Sequence, residues 1–355
     1  MGEGQQQQGR LRGLVVAVVA TMTGVTGTAL LIGSTATAPS AAAVQSSAAV
    51  AGPTTASARV AARTTARWSG AVRTSSRSAV NAAYRSRYAP FLNQSTGYVG
   101  NALSCALGSQ SVGSRAGTLS ALNFVRSLGG LAPVSFSPTL NARAQSTAML
   151  MSANQTLSHY PTSNWRCYTA TGASNAARSN LAMSFPRITS GSAIGLYMSE
   201  PGGNNTAVGH RRWLLNPNAL QMGSGATDNA NAITVMGPTS AARPNPAYVA
   251  WPTAGYFPRP MEPAGRWSLS AGDPNTRFGA ARVAVAKWNG SRWVAQRVTK
   301  YRVQDGFARP TVVWQLGSRV DQTGVYRMTV SNIRKAGTTR AFTHRYVTRM
   351  FTPWG

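Results

Sequence analysis

From Leu119 to Leu128 the apolar positions recur three apart, at Leu119, Leu122, Val125 and Leu128, until Gly129-Gly130 breaks the run. That spacing belongs to one face of an α-helix, and glycine is a common way to end one. Ser137-Pro138 follows as an N-cap with proline at the first helical position. Leu140, Ala144, Ala148 and Met151 then mark one face of a second helix, which ends near Asn154. Shorter helices are predicted around Ile194–Glu200 and Ala207–Leu215, and Met222-Gly-Ser-Gly225 and Ala232–Gly237 read as strands of one sheet. Helices on both sides of a small sheet give an α/β/α layering for residues 90–238.

After Pro238 the period changes to two. Arg282-Val-Ala-Val-Ala286, Arg292–Val298, Thr311–Leu316, Gly324–Val330 and Arg340–Phe351 alternate apolar and polar residues between Gly, Asn and Asp turns. About seven such strands predict an antiparallel β-sandwich of immunoglobulin-like size over residues 239–355. The fold class is therefore α+β, in two domains. Trp251, Trp267, Trp288, Trp293 and Trp314 are expected in the sandwich core, with an exposed aromatic row for glycan stacking as the alternative. His344, inside the last strand, reads as structural.

Upstream of residue 90 the pattern is sparse. Residues 44–89 are mostly Ala, Ser, Thr and Arg, too poor in large apolar groups to offset ordering entropy, and read as a disordered basic linker. Residues 1–43 read as an export segment: Arg10 and Arg12 precede the apolar stretch Leu14–Gly33, and Ala41-Ala42-Ala43 offers a cleavage site. The stretch is also long enough for an uncleaved membrane anchor. Export makes Cys105 and Cys167, the only cysteines, an expected disulfide. It places the protein in the medium or the cell envelope.

Charge adds a second constraint. The chain carries 35 basic residues against 7 acidic, a net +28, and its only lysines are Lys287, Lys300 and Lys335. Such a balance attracts anionic lipid headgroups or wall polymers. Without a Lys/Arg run or a basic-aromatic groove in the linear sequence, specific nucleic-acid recognition is not expected.

Acids and histidines are rare enough to narrow the chemistry. Glu200 is the only carboxylate between residues 90 and 227, and His159 and His210 flank it in sequence. Two imidazoles and a carboxylate are a minimal set for a weakly held divalent ion such as zinc; without an ion, Glu200 would orient one imidazole. His-Glu-x-x-His and Gly-x-Ser-x-Gly are both absent, so zinc-protease and hydrolase-elbow chemistry has no motif. Arg211 and Arg212 are expected to meet solvent or helix-end carbonyls. Gly202-Gly203-Asn204-Asn205 is expected to be a flexible rim of the cleft.

A set of motifs then occurs in order: Leu122-Asn123-Phe-Val-Arg126, Gly130-Leu131-Ala-Pro133, Leu140–Gln145, Leu157-Ser158-His159, Ser179-Asn180-Leu181-Ala182, Gly209-His210-Arg-Arg-Trp-Leu-Leu-Asn-Pro217 and Met222–Gly225. This order resembles the CAP superfamily of cysteine-rich secretory, antigen 5 and pathogenesis-related proteins, in its bacterial secreted form, over about residues 105–240. The resemblance implies an α/β/α sandwich and a cleft with two histidines and two glutamates. His159, His210 and Glu200 match three of these, whereas Ser179 stands where the second glutamate is expected. The implied ligand cleft is His159, Ser179, Asn180, Glu200 and His210, with His159 and His210 as metal ligands. The function implied is non-enzymatic binding of a lipid or envelope polymer. The alternative is an extracellular hydrolase or peptidase using His159, Glu200 and His210.

Overall fold

The computed structural model describes residues 67–353; the export segment and the first part of the linker lie outside the described residues. No helix among the described residues is long and apolar enough to cross a membrane. The linker expectation fails over its last part, because Arg77–Arg87 form helix α1. The Ser76 hydroxyl caps it by accepting from the Ala79 N–H at 3.2 Å. Its buried residues, Val80, Ala83 and Tyr84, lie three and four positions apart. Spacing compensates for scarcity: one narrow stripe suffices to dock the helix. Tyr84 meets Tyr88 at 5.5 Å and Phe124 edge-on at 6.0 Å, between ring centroids.

A hairpin of β1 (Val99–Asn101) and β2 (Ala106–Ser109) follows, exposed along its length. Its turn residue Cys105 is joined to Cys167 by the expected disulfide. Helix α2 (Val112–Leu128), short strand β3 (Ser135–Phe136), α3 (Pro138–Asn154), α4 (Ala170–Ala176), β4 (Ser179–Met183), α5 (Ser190–Ser199), α6 (Gly209–Leu214), β5 (Gln221–Ala226) and β6 (Ala230–Thr234) complete the first domain. Its sheet runs β3-β5-β6-β4, antiparallel except for β3–β5.

Alternation along the strands supplies both layers. Leu181 and Met183 of β4 face a cluster with Ala144, Ala148 and Met151 of α3, whereas Ala182 joins Leu122, Ile194 and Tyr197 on the other side. This is the predicted α/β/α arrangement. The Met222–Gly225 motif has a packing cause. A Cβ on Gly223 would lie 2.2 Å from the Leu140 carbonyl carbon, and one on Gly225 would lie 2.1 Å from the Gln145 nitrogen. Helix α3 therefore rests its backbone directly on β5, and only glycine permits that approach.

The second domain consists of β7 (Tyr248–Trp251), β8 (Gly255–Pro258), β9 (Arg266–Ala271), β10 (Thr276–Arg277), β11 (Arg282–Trp288), β12 (Trp293–Gln296), β13 (Val298–Lys300), β14 (Thr311–Leu316), β15 (Val325–Lys335) and β16 (Phe342–Phe351). These are ten strands rather than about seven. One sheet runs β12-β11-β15-β16-β8, with β10 beside β15, and the other runs β13-β14-β9-β7. All pairs are antiparallel except β16–β8. Trp251, Trp267 and Trp314 fill the interior and are fully buried. Trp288 and Trp293 do not: they face each other across β11 and β12 on the outer surface, where Trp288 is 38% exposed. His344 lies between Tyr248 and Tyr346, 4.4 and 5.6 Å from their ring centres.

The boundary near residue 238 is not a break in the core. One apolar cluster runs from Val80 and Leu122 through Val249, Trp251 and Phe257 to Phe351. Helix α1 packs against both α2 and β8 and so bridges the two domains. Tyr84→Ala should accordingly cost about 3 kcal/mol, as expected for removing a buried aromatic ring. The loss should appear as one cooperative shift in a urea titration, not as separate melting of two halves. Reducing the disulfide, whose cysteines are 62 residues apart, should cost up to about 4 kcal/mol by loop entropy. Titration with and without reductant measures it, and equal midpoints would refute it.

Candidate functional site

The site begins with two backbone turns in the left-handed region. Glu200 ends α5 at φ 52°, and Val208 starts α6 at φ 46°. A β-branched residue rarely adopts that conformation, so Val208 stores strain of about 1–3 kcal/mol, held by the packing around its fully buried side chain. Between these turns the chain reverses and brings Glu200 against the first turn of α6. Its Oε2 accepts from His210 Nδ1 at 2.8 Å, and its Oε1 accepts from the Arg211 backbone N–H at 2.9 Å. Both oxygens are committed.

His159 is positioned from the other layer. It follows α3 after Gln155, which closes that helix at φ 49°. Its Nδ1 donates to the Ala176 carbonyl at the end of α4, at 2.8 Å. Burial is the main cause that lowers the His159 pKa from its ordinary 6.5; the Ala176 bond opposes that shift, and the charge of nearby His210 adds to it. His159 and His210 are thus within electrostatic reach of each other. Both rings are largely covered: His159 is 6% and His210 8% exposed.

With Nδ1 of each ring holding its proton toward a carbonyl or a carboxylate, Nε2 of each neutral ring carries the lone pair. That is the arrangement in which second-shell acceptors orient ligating imidazoles. In both rings it is thus Nδ1 that the protein engages, through the Ala176 carbonyl in one case and Glu200 in the other. Among the described residues no three His, Cys, Asp or Glu side chains gather into a ligand set. Glu200 serves as an orienting acceptor here and not as a direct ligand.

Two residues expected to line the cleft do other work. The Ser179 hydroxyl donates to the Asn175 carbonyl at 2.8 Å and accepts from Asn175 Nδ2 at 3.0 Å, inside a buried network with Thr234. It lies on the face of β4 opposite to Asn180, turned toward α3 and α4. Asn180 donates its amide to the His210 carbonyl at 3.0 Å and so positions α6. Tyr197, three residues before Glu200, lies 5.5 Å from the His210 ring and donates to Asn231 Oδ1 at 2.9 Å.

The arginines of the Gly-His-Arg-Arg string do not meet solvent. Arg211, 1% exposed, donates to the carbonyls of Met198 at 2.9 Å and Arg266 at 3.0 Å and to the Ser268 hydroxyl at 2.9 Å. Arg212 donates to the carbonyls of Arg309, at 2.6 and 3.0 Å, and Gln304, at 2.8 Å, and covers the Phe307 ring at 4.6 Å. Burial pulls both guanidinium pKa values down to about 10, so both stay charged at neutral pH. Arg266 returns the contact, donating to the carbonyls of Glu200 and Gly202. The loop expected to be a flexible rim is thereby anchored to the sandwich domain. No sequence signal links Arg266 to Glu200, 66 positions away.

Residues 119–236 match the family model described as the cysteine-rich secretory protein family, CAP. No curated protein matches the chain. Among solved structures, the methionine-rich copper resistance protein PcoC from Escherichia coli aligns with 28% of this chain and 92% of its own, at 12% identity and a TM-score of 0.24. That likeness is too slight to bear on either domain.

The lowered pKa of His159 sets the sign of a pH effect. The unfolded chain takes up a proton near the ordinary value of 6.5, whereas the folded state resists until lower pH. Stability is therefore complete above that value and falls as pH drops toward the folded pKa. His344, also lowered by burial, acts in the same direction. Urea midpoints should fall between about pH 7.5 and about pH 5, and His159→Gln/His344→Gln should flatten that fall. An unchanged slope in the double variant would sink the assignment.

Proposed function

Residues 119–236 are a CAP domain, and on that premise we propose an exported, non-enzymatic binding protein of the cell envelope or medium. Its site centres on His159, Glu200 and His210, and its ligand is a lipid or an envelope polymer, with a weakly held divalent ion such as zinc as companion. The observation that carries this reading is the double commitment of Glu200, to His210 Nδ1 and to the Arg211 N–H. These bonds make the carboxylate an orienting acceptor for His210, and among the described residues no hydrogen bond joins either imidazole to a hydroxyl or thiol nucleophile. Ser179, spent on Asn175, offers no activated nucleophile.

Export is supported by the Cys105–Cys167 bond, which persists in oxidising compartments. A groove of about 730 Å³ beside β2, lined by Leu107, Arg115, Arg143 and Gln145 among others, supports the lipid class as a place for the chain of an amphiphile, although neither histidine lines it. Leu103 and Val99 stand 77% and 76% exposed on the same hairpin. Apolar contact beside arginines suits an amphiphile with an anionic head.

Purified full-length protein should bind anionic phospholipid vesicles or wall fragments in sedimentation assays. It should leave peptide and ester substrates intact. His210→Ala and His159→Ala should weaken capture of soluble lipid by about tenfold, equivalent to one or two hydrogen bonds, with the fold preserved by circular dichroism. Turnover of a peptide or ester that disappears in His210→Ala would replace this reading with the hydrolase.

A further inference from the structure

We propose that the outer face of the sheet β12-β11-β15-β16 is a second binding surface, for an anionic glycan: a polysaccharide bearing phosphate, sulfate or carboxylate groups. It is separate from the histidine site and does not rest on that site's function.

Register defines the surface. Ala286 pairs with Arg327, which pairs with Val347, so these side chains share one face; two residues along, so do Ala284, Thr329 and Arg345. Val325 pairs with Arg349 on the same face, and Trp288 pairs with Trp293 at its outer edge. The opposite parity, Val285, Met328 and Tyr346, is buried in the sandwich. Arg327, Arg345 and Arg349 are all exposed. On pleated-sheet spacings, Arg327 lies about 8 Å from each of the other two, Cα to Cα. Alanines at 284, 286 and 295 leave a low floor between the arginines and the tryptophans.

Two features select the occupant. None of the strands in this sheet contains an aspartate or glutamate, and the nearby loop residue Asp321 is paired with Lys287 of β11, so the field of the three arginines is complementary to a repeating anion. The tryptophans add a flat apolar element. Their rings are 5.4 Å apart, and the Arg327 guanidinium is held 4.6 Å from the centre of Trp293. Stacking of this kind fixes a guanidinium before a ligand arrives and lowers the ordering cost of binding. The exposed Trp288 ring remains for a sugar, whose C–H groups carry the partial positive charge that the face of an aromatic ring attracts. The strip is bounded on its far side, where α1 covers β8 and Arg77 lies 5.5 Å from the Phe351 ring. The disulfide, a mark of an oxidising compartment, favours an envelope glycan over a nucleic acid.

The test compares two triple variants of the full chain with equal charge loss. Arg327→Gln/Arg345→Gln/Arg349→Gln removes the face, and Arg87→Gln/Arg187→Gln/Arg302→Gln removes three exposed arginines elsewhere. Affinities are measured at near-physiological salt for dextran sulfate, neutral dextran, inorganic polyphosphate and an oligothymidylate, with circular dichroism as the fold control. The face triple should weaken dextran sulfate binding by about tenfold, the sum expected of a few exposed charge contacts, and the control triple by about twofold or less. Trp288→Ala, a single exposed change, should weaken dextran sulfate while leaving polyphosphate unaffected, and neutral dextran should bind least. Equal losses in the two triples would mean diffuse attraction by net charge and would overturn the proposal. So would a tighter, Trp288-dependent grip on oligothymidylate, which would make the face a nucleic-acid surface.

Discussion

Arg126, Arg211 and Arg212 put charged guanidinium groups inside the protein, and their bonds to backbone carbonyls are the constraint on which the rest depends. Helix α6 has six residues, far too few to be stable by itself. Glu200 engages its first turn through the Arg211 N–H, and Arg126 donates to the carbonyls of Leu214 and Asn216 beyond its last turn. Arg211 and Arg212 then fasten it to the sandwich. Each guanidinium spreads one charge over a planar fork of donors, which is why it can satisfy several carbonyls at once. A lysine at these positions would offer a single compact charge and leave carbonyls without partners. The abundance of arginine over lysine in this chain is therefore partly structural.

The same ties explain the chemistry of the histidine pair. Glu200 cannot turn toward a ligand without releasing His210 or the start of α6, so its role is to aim an imidazole. Strain at Val208 persists because the flanking contacts over-determine the turn. A burial cost is visible at His159, whose neutral ring is favoured by its removal from water.

Much of this was legible in the sequence, and the remainder was hidden for identifiable reasons. Helices α2 and α3 announced themselves by period and by their glycine and proline boundaries. The disulfide followed from an even count and an export segment, and the sandwich from alternation. Helix α1 was hidden because a stripe of Val80, Ala83 and Tyr84 is thin against a run of Ser, Ala and Arg, and tertiary burial decided the matter. Trp288 and Trp293 were misplaced because alternation reveals two faces without saying which is inside. The histidines and Glu200 could be singled out by rarity, but not the commitment of both carboxylate oxygens. Arg266 was invisible, since its partners are carbonyl groups, which every residue possesses.

The contacts of α6 also determine when the site can exist. Its arginines bond to Arg266, Ser268, Gln304 and Arg309, which lie between 55 and 97 residues downstream. A chain that emerges N-terminus first can close its α/β/α layers while those partners are still missing, and His210 then has no fixed seat. β8 must wait longer still, for pairing with the final strand, β16. Binding competence is thus acquired at the end of emergence rather than domain by domain. A chain cut short within the sandwich would keep the residues of its site but lose the scaffold that holds them.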